Sequence, residues 1–225
     1  AHGEEWEKIQ VSFKARLQEL LVDAEKNEWL QPKAVYGYWP ALSDGDDLVL
    51  FDPESLGSDN PVEIERFSFP RQIGGEGLCL ADYFLPIGSK KMDVVALQVV
   101  TVGEMASQRF AELEAKNEYM DAFFLHGFSV QMAEATADYI HKHIRQELNL
   151  QPGQGLRYSW GYPAIPELSD HQKVFNLLPV EKMLNMHLTS AYQLVPEQST
   201  AAIIVHHPDA KYFNIGVNRL DQLLK

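Results

Sequence analysis

Apolar residues return at three- and four-residue steps through Trp6, Ile9, Phe13, Leu17, Leu20, Leu21 and Ala24. This period predicts an amphipathic helix from Glu4 to Asn27, with the apolar stripe turned inward and Gln31-Pro32 as the stop. Acidic residues crowd its first turn, where they suit the helix dipole. The pattern then shortens. Lys33–Trp39, Asp47–Phe51 and Val62–Phe69 predict an antiparallel meander of strands, with a turn at Ser43-Asp44-Gly45-Asp46. Cys79–Leu85 suits a short helix or a buried turn. Asp93–Val102 is apolar almost throughout and rich in β-branched residues, which predicts a buried central strand.

From Gly103 to Leu150 the pattern is helical, with a break near Asn117 or Gly127. Asp170–Met186 predicts a further helix with Val174, Leu177, Leu178, Met183 and Leu184 inward and a kink or boundary at Pro179. Ala191–Val195, Ala201–His207 and Tyr212–Val217 read as three strands. Turns at Pro196-Glu197-Gln198 and Pro208-Asp209-Ala210 separate them. Arg219–Lys225 reads as a short closing helix. No internal repeat, low-complexity tract or long linker divides the chain, so residues 1–225 are expected to form one domain of the α+β class.

The 225 residues are 45% hydrophobic and 23% charged, as in a soluble globular protein with its own core. Lys and Arg number 19 against 32 Asp and Glu, a net charge of -13. That argues against a nucleic-acid partner, because phosphate binding needs a basic face. It leaves room for docking onto a basic surface of another protein. No apolar run approaches about 18 residues, so no membrane helix is expected. The acidic start does not resemble a signal peptide, and a cytoplasmic home is the expectation. Ala1-His2-Gly3 leads almost directly into a helix, as in a domain cut from a longer chain. The single cysteine, Cys79, excludes an internal disulfide and a cysteine metal cluster.

Candidate chemistry gathers in Arg157-Tyr158-Ser159-Trp160-Gly161-Tyr162-Pro163-Ala164-Ile165-Pro166, read as a loop between two helical segments. Two prolines stiffen it, and Gly161 permits a backbone angle or a close approach that a side chain would forbid. Arg157 carries a planar fork of donors suited to a carboxylate. Such a loop can cradle a ligand with an acidic tail and a planar ring. It can also be an ordinary stiff connection. Other candidates are weaker. Gly74-Gly75-Glu76-Gly77 lacks the spacing and the Lys-Ser/Thr ending of a nucleotide loop. Glu134, Asp138 and His141 share a helix face at a spacing that could hold a metal, but such residues are usually a helix's solvated side. His206 and His207 are adjacent on a strand and so point to opposite faces, one packed and one solvated. Ser159 lies in Tyr-Ser-Trp-Gly, not in the Gly-x-Ser-x-Gly elbow of a hydrolase. Tyr212, as the start of a strand, would bring its hydroxyl to the sheet end near the Arg157 loop.

Arg157, Gly161, Tyr162, Pro163, Ala164 and Pro166 together read Arg-x-x-x-Gly-Tyr-Pro-Ala-x-Pro. This resembles the signature of the activation domain of cobalamin-dependent methionine synthase. Three other segments are similar to that family in the right order: Cys79-Leu80-Ala81-Asp82-Tyr83, Met132-Ala133-Glu134-Ala135 through His141, and His207-Pro208-Asp209-Ala210-Lys211-Tyr212. The resemblance implies a C-shaped α+β domain with a twisted antiparallel sheet and flanking long helices. It implies S-adenosylmethionine as the ligand and reductive methylation of inactive cob(II)alamin as the activity, within a methyltransferase of methionine biosynthesis. The implied partners are the cobalamin-binding domain of methionine synthase, which holds the vitamin B12 cofactor, and flavodoxin or another one-electron reductant. Zinc belongs only elsewhere in the parent enzyme, and no metal is implied in this domain.

By the same resemblance Arg157 binds the methionine carboxylate, directly or through water, and Ser159 and Gly161 offer backbone groups. Tyr162 lies where the corrin face meets the methyl donor, as the residue closest to catalysis. Glu134 sits near the ammonium or sulfonium, and Tyr212 bonds the ligand from the other side. The family's further ligand-binding aspartate, in an Asp-Trp-x-Pro-Phe segment, lies upstream of the first helix and is not in this chain. That implies weaker or differently closed binding. Ile165 replaces the usual cysteine of Pro-Ala-Cys-Pro, which removes a thiol role there. The Asp-x-His-x-x-Gly cobalt-ligand signature is also missing, so cobalamin must come from a partner. Two alternatives are an S-adenosylmethionine sensor and a reactivation module for another corrinoid methyltransferase.

Overall fold

A computed structural model of the chain describes residues 3–58 and 60–216. Its elements run α1 (Glu4–Asn27), β1 (Lys33–Asp44), β2 (Asp47–Phe51), β3 (Glu63–Ser68), β4 (Asp93–Thr101), α2 (Glu104–Ala115), α3 (Tyr119–Glu147) and β5 (Leu156–Ser159). They continue with α4 (His171–Leu177), α5 (Val180–Leu184), β6 (His187–Leu188), β7 (Leu194–Val195) and β8 (Ser199–Val205). Six strands form one antiparallel sheet in the order β3-β2-β1-β4-β8-β5, and β6 pairs with β7 separately. This is the α+β class with an antiparallel sheet that the sequence predicts.

β4 is apolar at nearly every position because both of its faces are covered. Val95, Leu97 and Val99 enter the larger core with Leu48, Leu50, Phe67, Val174 and Ile203. On the opposite face Ala96 packs with Ile204 and with Ile144 of α3. Ala133 and Ala137 let α3 approach the sheet closely enough for buried Gln98 to donate to the Ala137 carbonyl at 3.2 Å. The helical break falls at Asn117, in a left-handed conformation, and Gly127 lies inside α3. Pro179 separates α4 from α5, as expected.

Several expectations need correction. The stripe on α1 does not turn inward along its length. Trp6 and Phe13 are 57% and 54% exposed, and Ile9, Leu17 and Leu21 are exposed too; only Leu20 and Ala24 are buried. The reason is geometric: only the C-terminal half of α1 reaches the cluster formed by Trp29, Val102, Ala106 and Leu125. β1 continues past Trp39 through Pro40 to Asp44. It pairs with β4 over 33–41 but with β2 only over 41–44, so Pro40 falls where the second neighbour has not yet begun. Met183 is exposed instead of inward, while Val180 is buried. Ala191–Val195 contributes only the two-residue β7, because Tyr192 takes a positive φ of 60°.

Two corrections bear on the site. Leu156–Ser159 is a strand, not part of a loop. In contrast, the described part of Tyr212–Val217 is not a strand; residues 211–216 run irregularly beside the sheet. The expected helix at 219–225 lies outside the described residues.

Candidate functional site

β5 is an edge strand, and its register sets the site. Arg157 pairs with Ile204 and Ser159 with Ala202, so both side chains share the sheet face that α3 covers. Tyr158, between them, turns into the larger core. Glu134 and Asp138 stand one turn apart on α3 and both meet Arg157. Its Nη2 donates to Glu134 Oε2 at 2.6 Å and to Asp138 Oδ1 at 3.2 Å. The Arg157 side chain is only 13% exposed. Its Nη1 is buried with no hydrogen-bond partner among the described residues. Ser159 Oγ lies 3.4 Å from Thr200 Oγ1.

The next segment folds into a tight turn. The Gly161 amide donates to the Ile165 carbonyl at 2.9 Å, and the Ile165 amide donates to the Tyr162 carbonyl at 3.0 Å. Pro163 holds the first central position of that turn, where its fixed φ is favourable. Gly161 has φ +84°, and a Cβ there would meet Leu168 Cδ2 at 3.1 Å. Trp160, Ala164 and Ile165 anchor the turn in the core, which leaves Tyr162 projecting and 59% exposed.

Residues 211–216 supply the facing wall. The Tyr158 hydroxyl donates to the Lys211 carbonyl at 2.7 Å, and the Ile215 amide donates to the Pro163 carbonyl at 3.3 Å. The Tyr158 ring centroid is 5.3 Å from that of Tyr212. Burial pushes the Tyr158 phenol up, with Tyr83 and Tyr212 adding to the shift, so it stays a protonated donor at neutral pH.

Between these parts lies a cavity of about 520 Å³, of the size that holds a small-molecule ligand. Glu134, Arg157, Ser159, Tyr162 and Tyr212 all line it. Five of the six residues expected from the sequence are thus brought together. Gly161 lies under the turn instead, and its amide is already used by Ile165. The Arg157 fork is not wholly free for a ligand carboxylate, since Glu134 and Asp138 engage its Nη2. Tyr158, Phe213 and Asn214 line the cavity as well. The alternation of β5 marks Tyr158 only once that strand is recognised, and Asn214 has no signal beyond closeness to Tyr212.

The other candidates resolve differently. Glu134 and Asp138 converge on a guanidinium, and no group of three or more potential ligands that could hold a metal exists among the described residues. His141 is pushed down to about 4 by burial and by the Arg145 and Arg157 charges, so it is neutral near pH 7. His206 and His207 lie just past the end of β8 and not on it; His206 binds Asp93 at 2.6 Å, and His207 is half-buried beside the Tyr83 ring. Cys79 is buried. No described helix is long and apolar enough to cross a membrane.

Comparison with known proteins gives consistent matches. A family model described as "Vitamin B12 dependent methionine synthase, activation domain" matches residues 4–225. Methionine synthase of Mycobacterium tuberculosis is 40% identical over 205 residues, covering 80% of this chain. The Mycobacterium leprae protein is 37% identical over the same span. The chain spans 17% of the length of each of these relatives. A solved structure described as the MetH reactivation domain bound to AdoHcy is similar at a TM-score of 0.85 and 27% identity. The match covers 99% of this chain and 72% of that one.

Proposed function

The chain belongs to the activation-domain family of vitamin B12 dependent methionine synthases, and on that premise we propose that its cavity binds S-adenosylmethionine and presents the methyl group for cobalamin reactivation. The observation that carries this reading is the buried Nη1 of Arg157, unpartnered among the described residues, at a cavity that Glu134 also lines. A buried guanidinium donor without an acceptor is costly, and a ligand carboxylate satisfies it. Glu134, on the same wall, suits the ammonium or the sulfonium of the same ligand. AdoHcy, bound by the related reactivation domain, is the product left when S-adenosylmethionine loses its methyl group.

In this assignment Arg157 holds the methionine carboxylate through Nη1, while Glu134 and Asp138 fix the guanidinium plane through Nη2. Tyr212 closes the ligand from the opposite wall. Ser159, on an edge strand, offers backbone groups that no further strand consumes. Tyr162 projects from the rigid turn and limits water at the open side. Cobalamin would be held by the cobalamin-binding domain of the parent enzyme and would supply a reduced cobalt centre as methyl acceptor, with flavodoxin or a similar one-electron donor as the reductant. The residues of this chain contribute position, and small errors of placement in such a transfer are expensive. Nothing in the acidic composition suits a nucleic-acid partner.

Calorimetric titration of the 225-residue chain with S-adenosylmethionine tests the binding. Mixing the loaded chain with a cobalamin-binding domain and a reductant, and following methylcobalamin by absorbance, tests the transfer. Absence of binding by the wild-type chain would overturn the assignment. Binding without methylation would confine it to ligand capture.

A further inference from the structure

The glycine-rich segment Gly74-Gly75-Glu76-Gly77 has no part in the cavity lining, yet its geometry is closely determined. Gly74, Gly75 and Gly77 all have positive φ, at 78°, 59° and 65°. These are angles that residues with a Cβ take at a cost. The Gln72 amide donates to the Leu78 carbonyl at 2.8 Å and closes the loop. Arg71 fixes its base, donating to the Gly77 carbonyl at 2.7 Å and to the carboxylates of Asp46 and Asp82.

The outer side of this loop grips residues 211–216 at three places. The Ile73 amide donates to the Ile215 carbonyl at 2.9 Å. Gln72 Nε2 donates to the Asn214 carbonyl at 3.0 Å. Lys211 Nζ donates to both carboxylate oxygens of Glu76 at 2.6 Å. The approach is close enough that a Cβ on Gly216 would lie 2.9 Å from the Ile73 carbonyl oxygen. Residues 211–216 have no sheet partner, so besides the packing of Phe213 on the larger core and the burial of Ile215 their position depends on two sets of hydrogen bonds. One is to Tyr158 and Pro163 on the cavity side, and the other is to the glycine loop.

We propose that the 71–78 loop is the outer support of the ligand cavity, with Gln72 and Glu76 as positioning residues that hold the wall carrying Tyr212 and Asn214. This rests on the reading of the cavity as the ligand site. An exposed ion pair alone contributes little. Here the Glu76–Lys211 pair acts beside two backbone-directed bonds on a segment that has few others. The side chain of Tyr212 is 68% exposed, and the Tyr158 ring, with its centroid 5.3 Å away, is its aromatic neighbour among the described residues. Its direction is therefore set by the backbone that the loop holds.

The test compares the wild-type chain with Glu76→Lys, with the Gln72→Ala/Glu76→Ala pair, and with the charge-exchanged Glu76→Lys/Lys211→Glu chain. Two readouts are taken: amide hydrogen exchange at Ile73 and residues 212–216, and calorimetric affinity for S-adenosylhomocysteine. In Glu76→Lys and in the double alanine variant these amides should exchange about tenfold faster, while the β4 and β8 amides stay protected. Affinity should fall severalfold in parallel, and the charge-exchanged chain should recover both. Unchanged exchange at 212–216 in the folded variants would overturn the proposal, as would faster exchange with undiminished affinity. If the wild-type chain fails to bind S-adenosylhomocysteine, the ligand reading falls, and the exchange rates still decide whether the loop holds the wall.

Discussion

Arg157 on β5 and Glu134 on α3 are 23 residues apart in sequence and 2.6 Å apart in space. The pair makes Arg157 a prepared receptor. One guanidinium nitrogen is tied to α3, so the plane of the group is fixed before a ligand arrives, and the other is left buried without an acceptor among the described residues. Preorganisation of this kind lowers the ordering cost of binding.

Arg157→Ala should weaken S-adenosylmethionine binding. A charge-assisted hydrogen bond contributes about 1.5–3 kcal/mol, so affinity should fall roughly tenfold to a hundredfold. Arg157→Lys should recover only part of the loss, because an ammonium cannot reach α3 and the ligand with one planar fork. Calorimetry on both folded variants checks this, and an unchanged Kd for Arg157→Ala would remove the residue from the site.

Tyr162→Ala separates placement from binding. The ring is exposed at the tip of an anchored turn, so the fold and the Kd for S-adenosylmethionine should stay within a few fold. Methyl transfer to reduced cobalamin should slow by about a hundredfold, the cost that a small misplacement of reacting groups can reach. The rate of methylcobalamin formation measures it, and a wild-type rate would show that the ring does not face the reacting centre.

Gly161→Ala should destabilise the chain. Its φ of +84° and the 3.1 Å approach of Leu168 both oppose a Cβ. The conformational cost is about 1–2 kcal/mol, visible as a lower denaturant midpoint at unchanged slope. Methyl transfer should fall further than stability does, since the turn that carries Tyr162 must shift. An unaltered midpoint would mean that the turn relaxes freely.

His206 and Asp93 give a pH signature. The Asp93 carboxylate raises the His206 imidazole above its ordinary range. Burial pushes Asp93 up, but the bonds from His206 and from the Leu85 and Val94 amides outweigh it and hold the carboxyl below its ordinary value. The raised histidine contributes stability that is complete below about pH 6.5 and is lost as pH rises through the folded-state value. The lowered carboxyl contributes stability that is present above about pH 3.9 and is lost as pH falls through its folded-state value. The difference in Tm between wild type and His206→Gln should therefore be largest between about pH 4 and 6.5 and shrink on either side. Taking the difference matters because His141 and His171, both lowered by burial, shift stability the opposite way. A difference independent of pH would show that the pair does not titrate as an ion pair.

Much of the fold was legible from local pattern. The bounds of α1, the strand at β2, the central place of β4, the break at Asn117 and the division at Pro179 follow from period, β-branching and the punctuation of Asn and Pro, which act within a few residues. Arg157 as the cation of a stiff segment and Tyr212 as a hydroxyl near it are legible from the residues; ligand roles for these two and for Glu134, Ser159 and Tyr162 follow from the resemblance of four segments to one family, and the cavity collects all five. Other features depend on contacts across the chain. The register Arg157↔Ile204 turned a segment read as a loop into an edge strand and aimed Arg157 at Glu134. A four-residue strand at a sheet edge has too short a pattern to announce itself, and its direction is set by its neighbour. Tyr212 reached the cavity without a strand, on backbone held by Tyr158, Pro163 and the glycine loop. The apolar stripe of α1 is legible as a pattern but not as burial, because periodicity specifies which face is apolar while only packing decides whether anything covers it.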